Sequence, residues 1–384
     1  MVHRDDGIRP WPGAIQATLR GVTGDFSELL ALDEGGRSVR TVGLDYQESA
    51  ESLQPLLDLD TPTSARVSAV HCGDYDDSHL VAAISRTLDE LMVRDRLRSC
   101  RNIIIKLGLI EGRLPEEHIT PHPRLLAALV CVLRDAAPRG CSISVAEGTG
   151  HDRDVDWVLG RTGVREVLQA YDVPFMNLNE DDLICVPIEN PMSMYEFVLP
   201  KSLFSSDFVI SLAKMKTHHR SAVTLGMKNL FGCAPGSVYG FPKTRLHYAG
   251  TARTIADLAA AIRPSLTVID GVVAMEGMGP LDGEPRHMGV IVAGENVAAT
   301  DYVAARMMGF EPLLIPQFWY ALAKGFLVSP EPVGEDFGRF HAVFSPPGNI
   351  RWLGGSADLS RDAKLQLLNR LLDSSRAALG TAAG

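Results

Sequence analysis

Lys214, Lys216 and His218 alternate directly after an apolar run, and Thr224, Lys228 and Asn229 follow within a few residues. On an extended backbone this alternation puts two ammonium groups and an imidazole on one side, with Met215 and Thr217 on the other. Cations held that close repel one another unless an anion joins them, and their proximity lowers at least one pKa toward neutrality. A lysine tuned in this way can donate or accept a proton. The segment therefore predicts a cradle for a carboxylate or phosphate with acid–base capacity. It stands where a strand meets a helix N-terminus, itself a site for anions. A helix over 221–230 would set Thr224 and Lys228 on one face.

The surroundings reinforce the charge argument. No Asp or Glu occurs between Asp207 and Asp257, while the chain as a whole carries a formal charge of -10. A basic island in an acidic chain suggests a local anion site rather than a generally basic surface. Lys243, Arg245 and His247 alternate after Pro242, among glycines, and suit a second anionic contact or a lid. Further polar groups stand at the ends of inferred strands: Lys106, Glu147 and Asp270, with Glu276 in a glycine-rich turn close behind. In a parallel sheet such ends share one ligand-binding edge. A strand-end Asp with a nearby Glu would orient His218 or complete an acid–base pair. Glu147-Gly148-Thr149-Gly150 lacks the third glycine of a dinucleotide fingerprint, since Arg153 stands there, and Glu147 is read as a polar cleft residue.

Metal and thiol chemistry find less support. His118 and His122 have ligand-like spacing, but Pro121 between them opposes the helix that would pair them. No metal site is expected. The six cysteines include no Cys-x-x-Cys pair and read as buried, reduced thiols; only Cys233, inside the basic segment, is placed where a nucleophile could act.

The elements that must position these groups follow an α/β rhythm. Strands are expected at 66–72, 102–109, 141–147, 208–213, 266–269 and 290–293. Helices are expected at 78–93, 123–138, 221–230, 254–262, 297–308, 313–327 and 360–379, with a Pro/Gly-rich loop at 330–348. This alternation implies two lobes built on parallel or mixed sheets flanked by helices, with the active cleft between them. The organisation is an extension at 1–60, a first lobe at 61–200, a second at 201–330 carrying the Lys/His segment, and a C-terminal loop and helix at 331–384. Within the extension, strands at 14–21 and 39–44 and a helix at 48–57 are expected. No apolar run reaches the roughly 18 residues of a membrane span, and the N-terminus does not look like a signal peptide. With the net negative charge, this argues for a cytoplasmic protein binding neither nucleic acid nor membrane. A homodimer is compatible with the composition.

The ordered residues Lys214, Lys216, His218, Thr224, Lys228, Asn229, Gly232, Pro235, Gly236, Lys243 and His247 resemble the family called domain of unknown function 362. So does the later block Asp270, Gly271, Glu276, Gly277, Gly279, Pro280 and Asp301. The resemblance runs from about Arg66 to Phe310. Where that family often has Lys-Pro-Asn, this chain has Lys106-Leu107-Gly108, and it lacks the cysteine pattern of the ferredoxin-like module some members carry. A more distant similarity links the segment to the nickel-pincer lactate racemases, which also place a His ten residues before a Lys and follow it with Pro-Gly. That similarity implies a cleft enzyme with His218 and Lys228 central.

The leading expectation is an enzyme, an isomerase or lyase, acting on a small anionic metabolite with a carboxylate by proton transfer: isomerisation, epimerisation, elimination or cyclisation. Lys216 and Lys228 would bind the anion and stabilise developing charge, and His218 would be the general acid or base. Lys214, Thr224, Asn229, Lys243, Arg245, His247, Lys106 and Glu147 would complete the binding surface. No cofactor is required by this reading. A redox enzyme holding a flavin or nickel group, and a non-catalytic anion- or nucleotide-binding regulator, are the alternatives.

Overall fold

The run Asn-Ile-Ile-Ile-Lys-Leu is β-branched and buried on both faces, which suits the interior of a parallel sheet, and it forms β3 (Asn102–Leu107). It is one of nine strands in the main sheet of a computed structural model that describes residues 9–10, 59, 61–150 and 153–370. In chain order the elements are β1 (Arg9–Pro10), β2 (Ser64–His71), α1 (Asp77–Glu90), β3, α2 (Pro123–Ala136), β4 (Ser142–Glu147), β5 (Phe175–Asn177), β6 (Leu183–Pro187), β7 (Glu196–Pro200) and β8 (Phe208–His218). Then come β9 (Ala222–Thr224), α3 (Gly226–Asn229), α4 (Thr244–Tyr248), α5 (Thr251–Ile262), β10 (Leu266–Met278), β11 (Asp282–Gly294), α6 (Val297–Met307), α7 (Pro316–Ala323) and β12 (Ser329–Gly334), with further short helices, among them Val155–Arg161 and Val164–Ala170, and turns between. The strand order is β12-β2-β11-β10-β8-β3-β4-β5, with β9 on the exit of β8. Pairing makes β11 and β9 the antiparallel members; the rest run one way.

Alternating side chains feed two apolar layers. Ile103, Ile105, Val145, Ile210 and Leu212 pack with α1 and α2 on one face. Ile104, Val209, Met215, Ile269 and Val292 pack with α5 and α6 on the other. Local rules set the helix starts: Asp76 accepts the Ser78 N–H at 2.9 Å to cap α1, and Pro123 opens α2 at a position that needs no donor.

The α/β class with a mixed sheet flanked by helices is the observed one. The two-lobe division takes a different form. Strands from 61–200 and from 201–330 interleave in one sheet, because β8 hydrogen-bonds to β3 on one side and to β10 on the other. A separate three-stranded sheet, β1-β6-β7, holds the two short β runs between 183 and 200. The elements expected at 14–21, 39–44 and 48–57 lie outside the described residues.

Several local expectations are corrected. β8 does not stop at residue 213 but runs to His218, and β10 does not stop at 269 but runs to Met278, since β10 and β11 form one long antiparallel ribbon. The helix expected over 221–230 breaks at its start: Ala222 has φ 63, β9 pairs back on β8, and only α3 is helical. The helix expected at 313–327 is a 3₁₀ turn at Pro312–Leu314 followed by α7, because Pro316 cannot continue the preceding turn. The loop expected at 330–348 contains β12; its prolines are accommodated because the strand lies at the sheet edge. The terminal helix starts at 361 and is described to 370.

The start of α3 bears on the site. Its first N–H groups, from Gly226 and Met227, donate to Asp301 at 2.7 and 2.8 Å. Burial raises the Asp301 pKa to about 8, against these two bonds. The helix N-terminus expected to greet an anion is thus occupied by a side chain of α6. Gly226 permits this contact, since a Cβ there would lie 2.5 Å from Thr267 Cγ2 and 2.9 Å from Asp301 Oδ1. Asp301→Leu should strand both donors in the interior and lower unfolding stability by about 2–6 kcal/mol, at roughly 1–3 kcal/mol per unsatisfied group. Urea unfolding followed by circular dichroism checks this.

Candidate functional site

Five lysines (Lys106, Lys214, Lys216, Lys228 and Lys243) are buried near the carboxyl edge of the sheet. An ammonium group out of water needs acceptors, so the partners of each decide what it is free to do.

Lys106, on β3, is saturated. Its Nζ donates to Glu147 Oε2 at 3.0 Å, to the carbonyls of Leu107 and Asn229 at 2.9 Å each, and to Asn229 Oδ1 at 3.0 Å. Glu147, at the end of β4, also accepts the N–H groups of Leu109 at 2.7 Å and Gly148 at 2.8 Å. The Asn229 amide donates to Ser211 Oγ at 3.0 Å and to the Leu212 carbonyl at 3.2 Å. Lys106, Glu147 and Asn229 therefore latch α3 onto the ends of β3, β4 and β8. The latch is tight: a Cβ on Gly232 would fall 2.1 Å from Glu147 Oε1, and one on Gly108 would fall 2.9 Å from Asn229 Oδ1.

Lys214 is likewise committed, donating to Asp270 Oδ2 at 3.0 Å and to Tyr75 Oη at 2.9 Å. Burial lowers its pKa and the Asp270 charge opposes that. Asp270 also accepts Tyr75 O–H at 2.9 Å and the His122 N–H at 2.9 Å, beside a bulge in β10. Lys243 donates to the carbonyls of Gly148, Gly232 and Ala234 at 2.8, 3.2 and 2.5 Å, pinning three loops; burial pulls its pKa to about 8.

Lys216 has carbonyls alone. It donates to Ile119 at 2.6 Å and to Pro280 at 3.4 Å, and burial, with Lys214 nearby, brings its pKa to about 7. Lys228 has no hydrogen-bond acceptor among the described residues. Its Nζ lies 3.3 Å from the Phe231 ring centroid, and burial, with Lys243 and Arg220, brings its pKa to about 7 as well.

Lys216 and Lys228 face a cavity of ≈ 700 Å³ that His218, Thr224, Asn229 and His247 also line. Thr224 Oγ1 and His247 Nδ1 are buried without a partner among the described residues. His218 Nδ1 accepts the Arg220 N–H at 3.0 Å, so the neutral ring carries its proton on Nε2. Burial first, then Lys228, His219 and Lys216, push the His218 pKa down to about 2, and burial with Lys228 and Arg220 takes His247 to about 4. Both imidazoles are neutral near pH 7.

The alternation of Lys214, Lys216 and His218 along β8 brings two of the three to the cavity as open groups. Thr224 and Lys228 meet there too, although Thr224 comes from β9 rather than from a shared helix. Lys243 and His247 line it from α4 and the turn before it; Arg245 does not, and donates to the Val238 carbonyl at 2.8 Å. Glu276 does not either: it accepts the Ser345 N–H at 2.9 Å and lies 3.7 Å from Arg286, on the β10–β11 ribbon. Among the described residues no carboxylate orients His218: Asp270 and Glu276 are engaged elsewhere and a backbone N–H takes Nδ1. Sequence reasoning missed Tyr75, Phe231 and the acceptor carbonyls, none of which carries a local pattern. Cys233 is fully buried and its thiol is pushed up to about 12, which removes it as a nucleophile.

A family model described as domain of unknown function (DUF362) matches residues 103–306, just over half of the 384-residue chain. The thylakoid-associated protein sll1697 of Synechocystis sp. is 27% identical over 256 residues, covering 65% of this chain and 76% of that protein. Among solved structures, the lactate racemase apoprotein from Thermoanaerobacterium thermosaccharolyticum aligns with a TM-score of 0.42 at 12% identity, over 66% of this chain and 58% of that one. A Thermotoga maritima protein aligns with a TM-score of 0.36 at 11% identity, over 59% and 57%. The chain thus spans less than two thirds of either structure. Among the described residues no helix is long and apolar enough to cross a membrane, and no three His, Cys, Asp or Glu side chains cluster as metal ligands.

Two outcomes follow from the lysine partners. Lys106→Met leaves Glu147 buried and unpaired and should cost about 3–5 kcal/mol in urea unfolding, with part of the loss recovered by adding Glu147→Gln. Lys228→Met should behave oppositely. The unfolded-state pKa of Lys228 is near 10.5 and the folded one about 7, so between these values the unfolded chain holds a proton the folded chain has lost. Stability from this group therefore rises with pH across that window. The Met variant should be more stable than the parent at about pH 6, with its advantage shrinking by about pH 9 in paired thermal melts.

Proposed function

The chain belongs to the domain of unknown function 362 family, and from its cleft we propose an enzyme that binds a small carboxylate and moves a proton on it. The observation that carries this reading is Lys228, a buried amine with no acceptor among the described residues, facing a cavity that Thr224 and His247 also line. A carboxylate on Lys228 would supply the acceptor its ammonium lacks and raise the lysine's pKa, so the ammonium form is favoured once substrate is in place. Lys216, with a pKa of about 7, is the proton carrier; it can exist as a free amine at neutral pH and so act as a base. His218 is kept neutral and presents Nε2–H, which suits it to stabilise an oxyanion as it develops. Removal of the proton α to the carboxylate and its return to the opposite face would give epimerisation, and its return to another carbon of the delocalised anion would give isomerisation; loss of a β-substituent instead would give elimination.

One feature also suits the redox alternative. The free Lys228 amine is the group that would hold a tethered nickel cofactor, with His218 and His247 beside it, and such a group would supply redox chemistry. With no three-residue ligand cluster among the described residues, its remaining ligands would have to come from its own organic part. Absorbance and metal analysis of the purified protein separate this reading from the cofactor-free one.

The direct test is solvent exchange. A panel of 2-hydroxy, 2-aryl and β,γ-unsaturated carboxylates, each with a hydrogen on C2, is incubated with enzyme in deuterium oxide and followed by proton NMR. Deuterium should appear at the carbon α to the carboxylate, vanish with Lys216→Met, and slow by about 10²–10³-fold with His218→Gln, as for loss of one oxyanion donor. Carboxylate binding without exchange would instead indicate an anion-binding regulator.

A further inference from the structure

The cavity is larger and less polar toward its opening than a small carboxylate requires. Lys216, His218 and Lys228 form a floor at 3%, 6% and 9% exposure. At the opening, Tyr248 on α4 and Met278 at the tip of β10 stand 53% and 51% exposed, with Pro242 also exposed and Ile110 and Leu281 half-buried between them. Arg220, His219 and Asp282 share the rim and keep part of it wet. Cavities of roughly 300–1,000 Å³ enclose ligands of some twenty or more heavy atoms, and ≈ 700 Å³ lies within that range. A substrate the size of lactate would leave most of the space to water.

We infer that the substrate is amphiphilic: its carboxylate reaches Lys228 and His218, and an apolar chain or aromatic body lies along Phe231, Leu281, Tyr248 and Met278 and seals the floor. This rests on the carboxylate-binding reading above and adds the class of substrate. The apolar body accounts for two large exposed side chains, from unconnected elements, at the opening of one cavity, which scattered surface residues would not.

The test is binding of a homologous series, acetate through butanoate, hexanoate and octanoate to decanoate, with the matching primary alcohols, below micelle-forming concentrations, by calorimetry. Affinity should rise about fourfold per methylene over the middle of the series. Tyr248→Ser with Met278→Ser should flatten that rise while acetate binding stays the same. Lys228→Met should weaken the carboxylates alike and leave the alcohols unaffected. Equal affinity for short and long carboxylates, or an undiminished rise in the double variant, overturns the amphiphile inference and leaves carboxylate binding intact. Alcohols binding as tightly as carboxylates overturn the anion reading while the apolar body stands. No binding by any member overturns both.

Discussion

Five lysines are buried at one sheet edge, and among the described residues two carboxylates, Glu147 and Asp270, pair with them. Much of the local structure can be understood as the answer to that imbalance. A buried cation requires compensation, and here it comes in three forms: a carboxylate for Lys106 and Lys214, converging carbonyls for Lys243 and Lys216, and an aromatic face for Lys228. The loops after β3, β4 and α3 take their paths because their carbonyls must reach ammonium protons.

The same imbalance tunes the site. Lys106 and Lys214 are neutralised in pairs and hold β3, β4, β8 and β10 in register at their ends. Lys216 and Lys228 lack a carboxylate, so burial brings both near neutral pKa. Burial, reinforced by Lys228, also keeps the imidazoles of His218 and His247 neutral. In the function proposed above, a bound anion supplies the counter-charge that Lys216 and Lys228 lack. Structural and chemical roles are therefore divided among residues of one type within one cluster.

This division also explains why the family motif is long. Lys106 and Asp301 do not line the cavity, and Glu147, Asn229 and Gly232 line it with their polar atoms or backbone committed elsewhere; each fixes a backbone segment near Lys216, His218 or Lys228. Gly108 stands where the family pattern often has Asn, and the Asn229 side chain packs against it and bonds Lys106.

What the sequence alone determined is what depends on neighbours along the chain. The period-2 alternation put Lys214, Lys216 and His218 on one side of β8, Pro123 marked a helix start, and the acid-free stretch located the cations. The strand–helix rhythm set the α/β class. What only the tertiary structure decided is which cations are satisfied. Lys214 and Lys216 are two residues apart and of one type, yet one meets Asp270 and Tyr75 while the other meets carbonyls of Ile119 and Pro280. Asp301 takes the α3 N-terminus from 75 residues away, and the β10–β11 ribbon carries Glu276 off to Ser345. A buried charge takes its character from whatever register and packing bring within about 3 Å, and no local pattern in the chain encodes that.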